Sequence, residues 1–247
     1  MTAPPRPAVS EVLRFGAAWG LTLAAGAWAL ALVPLVGGPA AWERVAPRWG
    51  RAVLRLTGVE VDVEGKEHLG QPAVYVVNHV SLIDVVYLPA ILPPRARWVV
   101  KQELINIPLW GWAIKATGAI CIDRSHSEDA VARIQHGIRN LPPDTSVVVF
   151  PEGTRSRSKQ MLPFKKGAFH IAMATGLPMV PLGSAGPERI VPAGGFVVRR
   201  GRITVNVGAP ISTRAWTRQT LADHIAETRS KVEALIAQAD ARHPRGP

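Results

Sequence analysis

V-Y-V-V-N-H-V-S-L-I-D-V-V-Y, residues 74–87, decides how the chain is read. Val74 to Val77 is a β-branched and aromatic run of strand length, which reads as a buried strand. Ser81 follows at a position suited to a helix N-cap. With Asp84 three residues on, it forms the S-x-x-D arrangement of a capping box. On that reading His79 occupies the turn before the helix and Asp84 its first turn. A carboxylate there can reach the imidazole, fix its tautomer and leave the other ring nitrogen free to accept a proton from a hydroxyl. The same residues taken alone also fit a simple helix cap beside an ordinary turn histidine.

Outward from this stretch, strand and helix patterns alternate. Strands are predicted at Val59–Val63, Ala73–Val77, Trp98–Val100, Ala119–Ile122, Ser146–Phe150, Met179–Leu182 and Ile203–Val207. Helices are predicted at Ser81–Ala90, Glu103–Ala116, Glu128–Asn140 (capped by Ser127), Lys166–Thr175 (ended by Gly176) and Leu221–Ala239. Such alternation indicates an α/β domain with helices packed over a central mixed sheet. Residues 184–201 read as an irregular surface excursion.

The N-terminal part is different. Phe15 to Val36 is apolar and uncharged, and about 20 such residues suffice to cross a bilayer core as a helix. A signal peptide, a single span and a hairpin broken at Pro34 and Gly37-Gly38-Pro39 all fit this stretch; the expectation is a retained membrane anchor. In the segment that follows, Arg44, Arg48, Arg51 and Arg55 recur at helical spacing and share one face. Trp42 and Trp49 lie elsewhere on the same helix, so it resembles an interfacial helix turned toward anionic headgroups. Pro47 fits only in a first turn or at a kink. More arginines follow the apolar segment than precede it (Arg6 and Arg14), which favours a cytoplasmic main domain. The expected division is residues 1–56 as membrane-anchoring helices and 57–247 as the main domain.

The net charge of +11 suits an anionic partner. Nucleic acid is disfavoured, since the basic residues are scattered and no nucleic-acid-binding module is present. A single cysteine, Cys121, excludes an internal disulfide framework and a cysteine-cluster metal site; its strand setting reads as core.

A second constellation is F-P-E-G-T-R-S-R, residues 150–157, after a strongly apolar strand. Loops at the carboxyl ends of strands are the usual ligand sites of α/β sheets. Arg155 and Arg157 offer paired guanidinium donors, and Lys165 and Lys166 stand at the start of the next helix, where free N–H groups also favour anions. This predicts a phosphate or phosphoester site. Lys101 and Arg124 each end a strand, placing both at one sheet edge.

Together these blocks resemble the glycerolipid acyltransferases, in particular the 1-acylglycerol-3-phosphate acyltransferases. N-H-V-S-L-I-D carries the family's H-x-x-x-x-D motif. G-A-I-C-I-D-R, F-P-E-G-T-R-S and L-P-M-V-P-L are similar to its later blocks, in family order from about Val59 to Pro210. S-R-S-K-Q-M-L departs from the family where an Asp-Gly turn is usual. The resemblance implies transfer of a fatty acyl group from acyl-CoA or acyl-carrier protein to the sn-2 hydroxyl of lysophosphatidic acid, with no metal or cofactor. It implies His79 as general base and Asp84 as its orienter. It further implies that Glu152, Gly153, Thr154 and Arg155 serve the acceptor, and that Lys101 and Arg124 contact phosphate; Lys165 joins the substrate site through its place at the helix start. A thioester is already activated, so base-assisted attack with oxyanion stabilisation can suffice. An imidazole, with a reference pKa near 6.5, suits that task at neutral pH. Alternatives are the same chemistry on lyso-ornithine lipid or glycerol-3-phosphate, and a non-enzymatic basic lipid-binding module. A hydrolase triad through Ser81 is disfavoured, because no G-x-S-x-G elbow is present.

Overall fold

A computed structural model describes residues 8–107, 110–122, 138, 141–142, 144–156, 160–192 and 197–242. Seven strands form one mixed sheet: β1 (Val59–Glu64), β2 (Val74–Val77), β3 (Ala96–Lys101), β4 (Ile120–Ile122), β5 (Ser146–Val149), β6 (Met179–Ala185) and β7 (Gly201–Val207). Their spatial order is β1-β7-β6-β2-β5-β3-β4. The strands from β6 to β4 are parallel to one another, and β7 meets β6 antiparallel while running parallel with β1. The central strands β2 and β5 are buried at every position. Both faces of the sheet are therefore covered, which explains why these strands read as unbroken apolar runs rather than alternating ones.

On one face Tyr75, Val77, Tyr87, Leu88, Leu182 and Ile203 belong to one apolar cluster. On the other, Val74, Val76, Val147, Phe169, Ile171 and Val232 form a second. Among the described residues, the helices of the main domain are α3 (Asp84–Ile91), α4 (Trp110–Ala116), α5 (Gly167–Thr175), the single turn α6 (Pro187–Ile190) and α7 (Leu221–Arg242). Gly176 ends α5 in the left-handed conformation, as its sequence position indicates.

Four expectations change. The stretch predicted as one helix from Glu103 is a 3-10 turn at Gln102–Asn106 followed by α4. The described residues between 184 and 201 are no surface excursion, because Ile190, Val191 and Val198 join the core. Cys121 is half-buried on the edge strand β4 rather than a core residue. Helix α3 begins at Asp84, not Ser81. Apart from Ile138, the helix predicted at 128–140 lies outside the described residues, as do its cap Ser127, Arg124 and Arg157.

Two long helices precede the sheet, α1 (Val9–Val36) and α2 (Gly38–Thr57). Helix α2 buries Ala41, Val45, Pro47, Gly50, Val53 and Leu54, while Arg44, Arg48, Arg51 and Arg55 stay exposed on the opposite face. Pro47 lies in the helix interior, neither in the first turn nor at a break in the helix. Gly50 permits the α2–α3 approach, since a Cβ there would lie 2.5 Å from the Val86 carbonyl oxygen. None of the residues of α1 is buried; Leu13, Leu23, Leu30 and Leu35 are exposed.

Candidate active site

The carboxyl ends of β2, β5, β3 and β4 lie side by side at one end of the sheet. His79 follows β2, Glu152 follows β5 and Lys101 ends β3, so three sequence-distant blocks are brought together by strand order alone.

His79 Nδ1 lies 2.8 Å from Asp84 Oδ2. The same oxygen accepts the backbone N–H groups of Val80 and Ser81, both at 3.0 Å. Asp84 is completely buried, whereas the His79 side chain keeps 16% of its exposure. A carboxylate gathering three donors acts only as an acceptor, which assigns the proton to Nδ1 and a lone pair to Nε2. The cap is thus built differently from the sequence expectation. Asp84 satisfies the turn's amides from inside the helix, and Ser81 Oγ instead donates to the Val191 carbonyl at 2.7 Å.

Phe150 stacks on the imidazole with ring centroids 3.9 Å apart. Stacking on one face and the Asp84 bond at one edge together restrict the ring's rotation. Neighbouring Asn78 is buried; its Nδ2 donates to the Ser184 carbonyl at 3.0 Å, and its Oδ1 accepts the Ser184 N–H at 2.8 Å. The turn is thereby fastened to β6 as well. Sequence reasoning missed Phe150, Asn78 and Ser156 as site residues. Phe150 and Asn78 do adjoin the motif residues, but their contacts are made across the sheet.

Glu152 is 1% exposed. Its Oε1 accepts the His79 N–H and its Oε2 accepts the Leu162 N–H, each at 2.8 Å. Burial pushes its carboxyl above the ordinary value, while those two N–H groups and the nearby imidazole pull it back. Gly153 takes a φ of 75°, a region that favours glycine, and so turns the chain sharply after Glu152. The Ser156 N–H then bonds the His79 carbonyl at 2.9 Å. Thr154, Arg155 and Lys165 are exposed, and Lys101 is half-buried. The structure therefore joins His79, Asp84 and Glu152 directly. It places Lys101, Thr154, Arg155 and Lys165 at the same sheet end, facing solvent to differing degrees.

Such a site can deprotonate a hydroxyl at Nε2 and hold an anionic group with the surrounding cations. Residues 60–185 match the family model described as Acyltransferase. The chain belongs to the acyltransferase family. It is 34% identical over 208 residues to the 1-acyl-sn-glycerol-3-phosphate acyltransferase of Limnanthes douglasii, covering 82% of this chain and 74% of that one. It is 29% identical over 205 residues to the enzyme of the same name from Haemophilus influenzae, covering 82% and 85%. In fold it is similar to the crystal structure of the 1-acyl-sn-glycerophosphate acyltransferase of Thermotoga maritima, with a TM-score of 0.74, 22% identity and 96% of each chain covered.

Proposed function

We propose that the protein acylates lysophosphatidic acid at its sn-2 hydroxyl to give phosphatidic acid, a step of phospholipid biosynthesis. The observation that carries this reading is the 2.8 Å His79–Asp84 pair at the carboxyl end of the sheet. The names of the relatives give it the substrate. His79 Nε2 takes the hydroxyl proton as the oxygen attacks the thioester carbon. The tetrahedral oxyanion collapses, the C–S bond breaks, and the leaving thiolate recovers the proton from the imidazolium. Lys101, Arg124, Arg155 and Lys165 hold the acceptor's phosphate, with Gly153 and Thr154 shaping the loop that carries Arg155. The donor is acyl-CoA or acyl-carrier protein, and the reaction uses no metal or cofactor.

The membrane supplies and receives the lipids, and residues 1–56 attach the protein to it. Helix α1 is long and apolar enough to cross a bilayer, but its contacts favour an orientation along one face. Near its start, Arg14 Nε donates to the Val198 carbonyl at 3.1 Å and the Val198 N–H reaches the Glu11 carbonyl. Midway, Trp49 Nε1 of α2 donates to Thr22 Oγ1 at 3.1 Å. A helix fastened to the main domain near its start and to α2 midway suits burial in one leaflet, with the Arg face of α2 on cytoplasmic headgroups.

The test is mass-spectrometric identification of the product formed by the purified full chain from lysophosphatidic acid with acyl-CoA or acyl-carrier protein. Phosphatidic acid is the expected product. Turnover confined to phosphate-free or zwitterionic acceptors would overturn the substrate.

A further inference from the structure

Glu152 stands in the block that the family resemblance assigns to the acceptor, yet both its oxygens are occupied by the protein's own backbone. The carboxylate is buried, and its two N–H donors, from His79 and Leu162, sit at the short end of normal hydrogen-bond lengths. A group so placed has little left to offer a substrate. What it does hold is the peptide unit that enters the base.

We propose that Glu152 is a positioning residue: it sets the height and tilt of His79 above the sheet and touches neither acceptor nor donor. This rests on the reading of His79 as base. Four polar backbone groups of the turn are fixed. The His79 N–H goes to Glu152, the His79 carbonyl receives Ser156, and the Val80 and Ser81 N–H groups go to Asp84. Asp84 and Phe150 fix the ring relative to the turn, and Glu152 fixes the turn relative to β5. Leu162 holds the carboxylate's other oxygen, so the carboxylate cannot swing toward a ligand without abandoning a buried N–H. Replacing the carboxylate by an amide leaves one acceptor and turns an N–H₂ group toward a backbone N–H, so one of the two bonds is lost.

The experiment compares wild type, Glu152→Gln, His79→Ala and the double variant as full-length protein in mixed micelles. It reads kcat and acceptor KM with lysophosphatidic acid and acyl-CoA, and equilibrium binding of lysophosphatidic acid. For Glu152→Gln, kcat should fall about 100-fold, the scale of a displacement near 1 Å. Acceptor binding should stay within about threefold of wild type, as for a residue that acts only on the transition state. In the His79→Ala background the same substitution should cost nothing further, because there is no base left to position. A Glu152→Gln variant that keeps kcat while its acceptor KM rises would overturn the proposal. So would a further loss of acceptor binding in the double variant. Should the amide variant unfold, Glu152→Asp keeps the charge but is a methylene short of spanning both N–H groups; it should show the same fall in kcat, and retained kcat would contradict the proposal. Full activity of His79→Ala, by contrast, would remove the base assignment itself.

Discussion

The turn at His79 and the helix α1 stand at opposite extremes of the same chain. In the turn, the amides of residues 79–81 are all bonded to buried carboxylates, and the carbonyl of His79 is bonded as well. In α1, none of the 28 residues is buried, and Leu13, Leu23, Leu30 and Leu35 are exposed. The first arrangement places one nitrogen and tolerates little displacement, because the protein has already supplied the bonding partners. The second leaves apolar surface that a bilayer, on the proposed reading, would cover, and it needs only length, hydropathy and a few tethers. If His79 is the base and α1 the membrane anchor, as proposed above, precision is concentrated where a proton moves and adaptability where the lipid is met.

The largest blow to this contrast comes from the turn. Asp84→Asn replaces an acceptor-only group by one that can present N–H₂ to the imidazole and favour the wrong tautomer, so turnover should fall by about three to four orders of magnitude. Steady-state rates on folded protein check this; a loss below tenfold would mean that the tautomer is fixed by something else. On the membrane side, replacing Arg44, Arg48, Arg51 and Arg55 together by alanine should weaken binding to anionic vesicles by about 1 kcal/mol per arginine, while binding to neutral vesicles changes little. Vesicle co-sedimentation at rising salt would show it, and equal losses on both lipids would move the contact elsewhere. Arg155→Ala should raise the acceptor KM about tenfold, the scale of one charge-assisted bond, with a smaller change in kcat. An unchanged KM would remove the phosphate contact.

The smallest effect concerns stability. A carboxyl whose pKa is raised on folding contributes stability below its ordinary value of 4.5 and loses it as the pH climbs through the raised value. Wild type should therefore gain thermal stability relative to Glu152→Gln as the pH is lowered from neutral towards 4.5. Thermal midpoints over that range test the sign, and a gap that widens with rising pH would reverse it.

The strands were legible because their signal is local. Val147, Val148 and Val149 announce a buried strand without reference to anything else. Their order was not, since β7 comes to lie between β1 and β6 only because Val59 of β1 pairs with Gly201, far away in the sequence. At the site, the His79–Asp84 pair lies five positions apart and could be anticipated. The Glu152 bond to His79 spans 73 positions and ends on a backbone N–H, which every residue but proline has. No side-chain pattern marks such a partner. Ser81 misled for a related reason: S-x-x-D names the right residues, but the carboxylate took the amides and the hydroxyl went to Val191. The core role of Ile190, Val191 and Val198 was hidden by the glycines and prolines around them.

The most direct test of the central claim is the turnover of His79→Ala on lysophosphatidic acid and acyl-CoA, with its circular dichroism and acceptor binding measured alongside. The expected variant is a folded protein that still binds the acceptor and transfers acyl groups at a rate lower by about four orders of magnitude. A folded variant with wild-type turnover would contradict that claim.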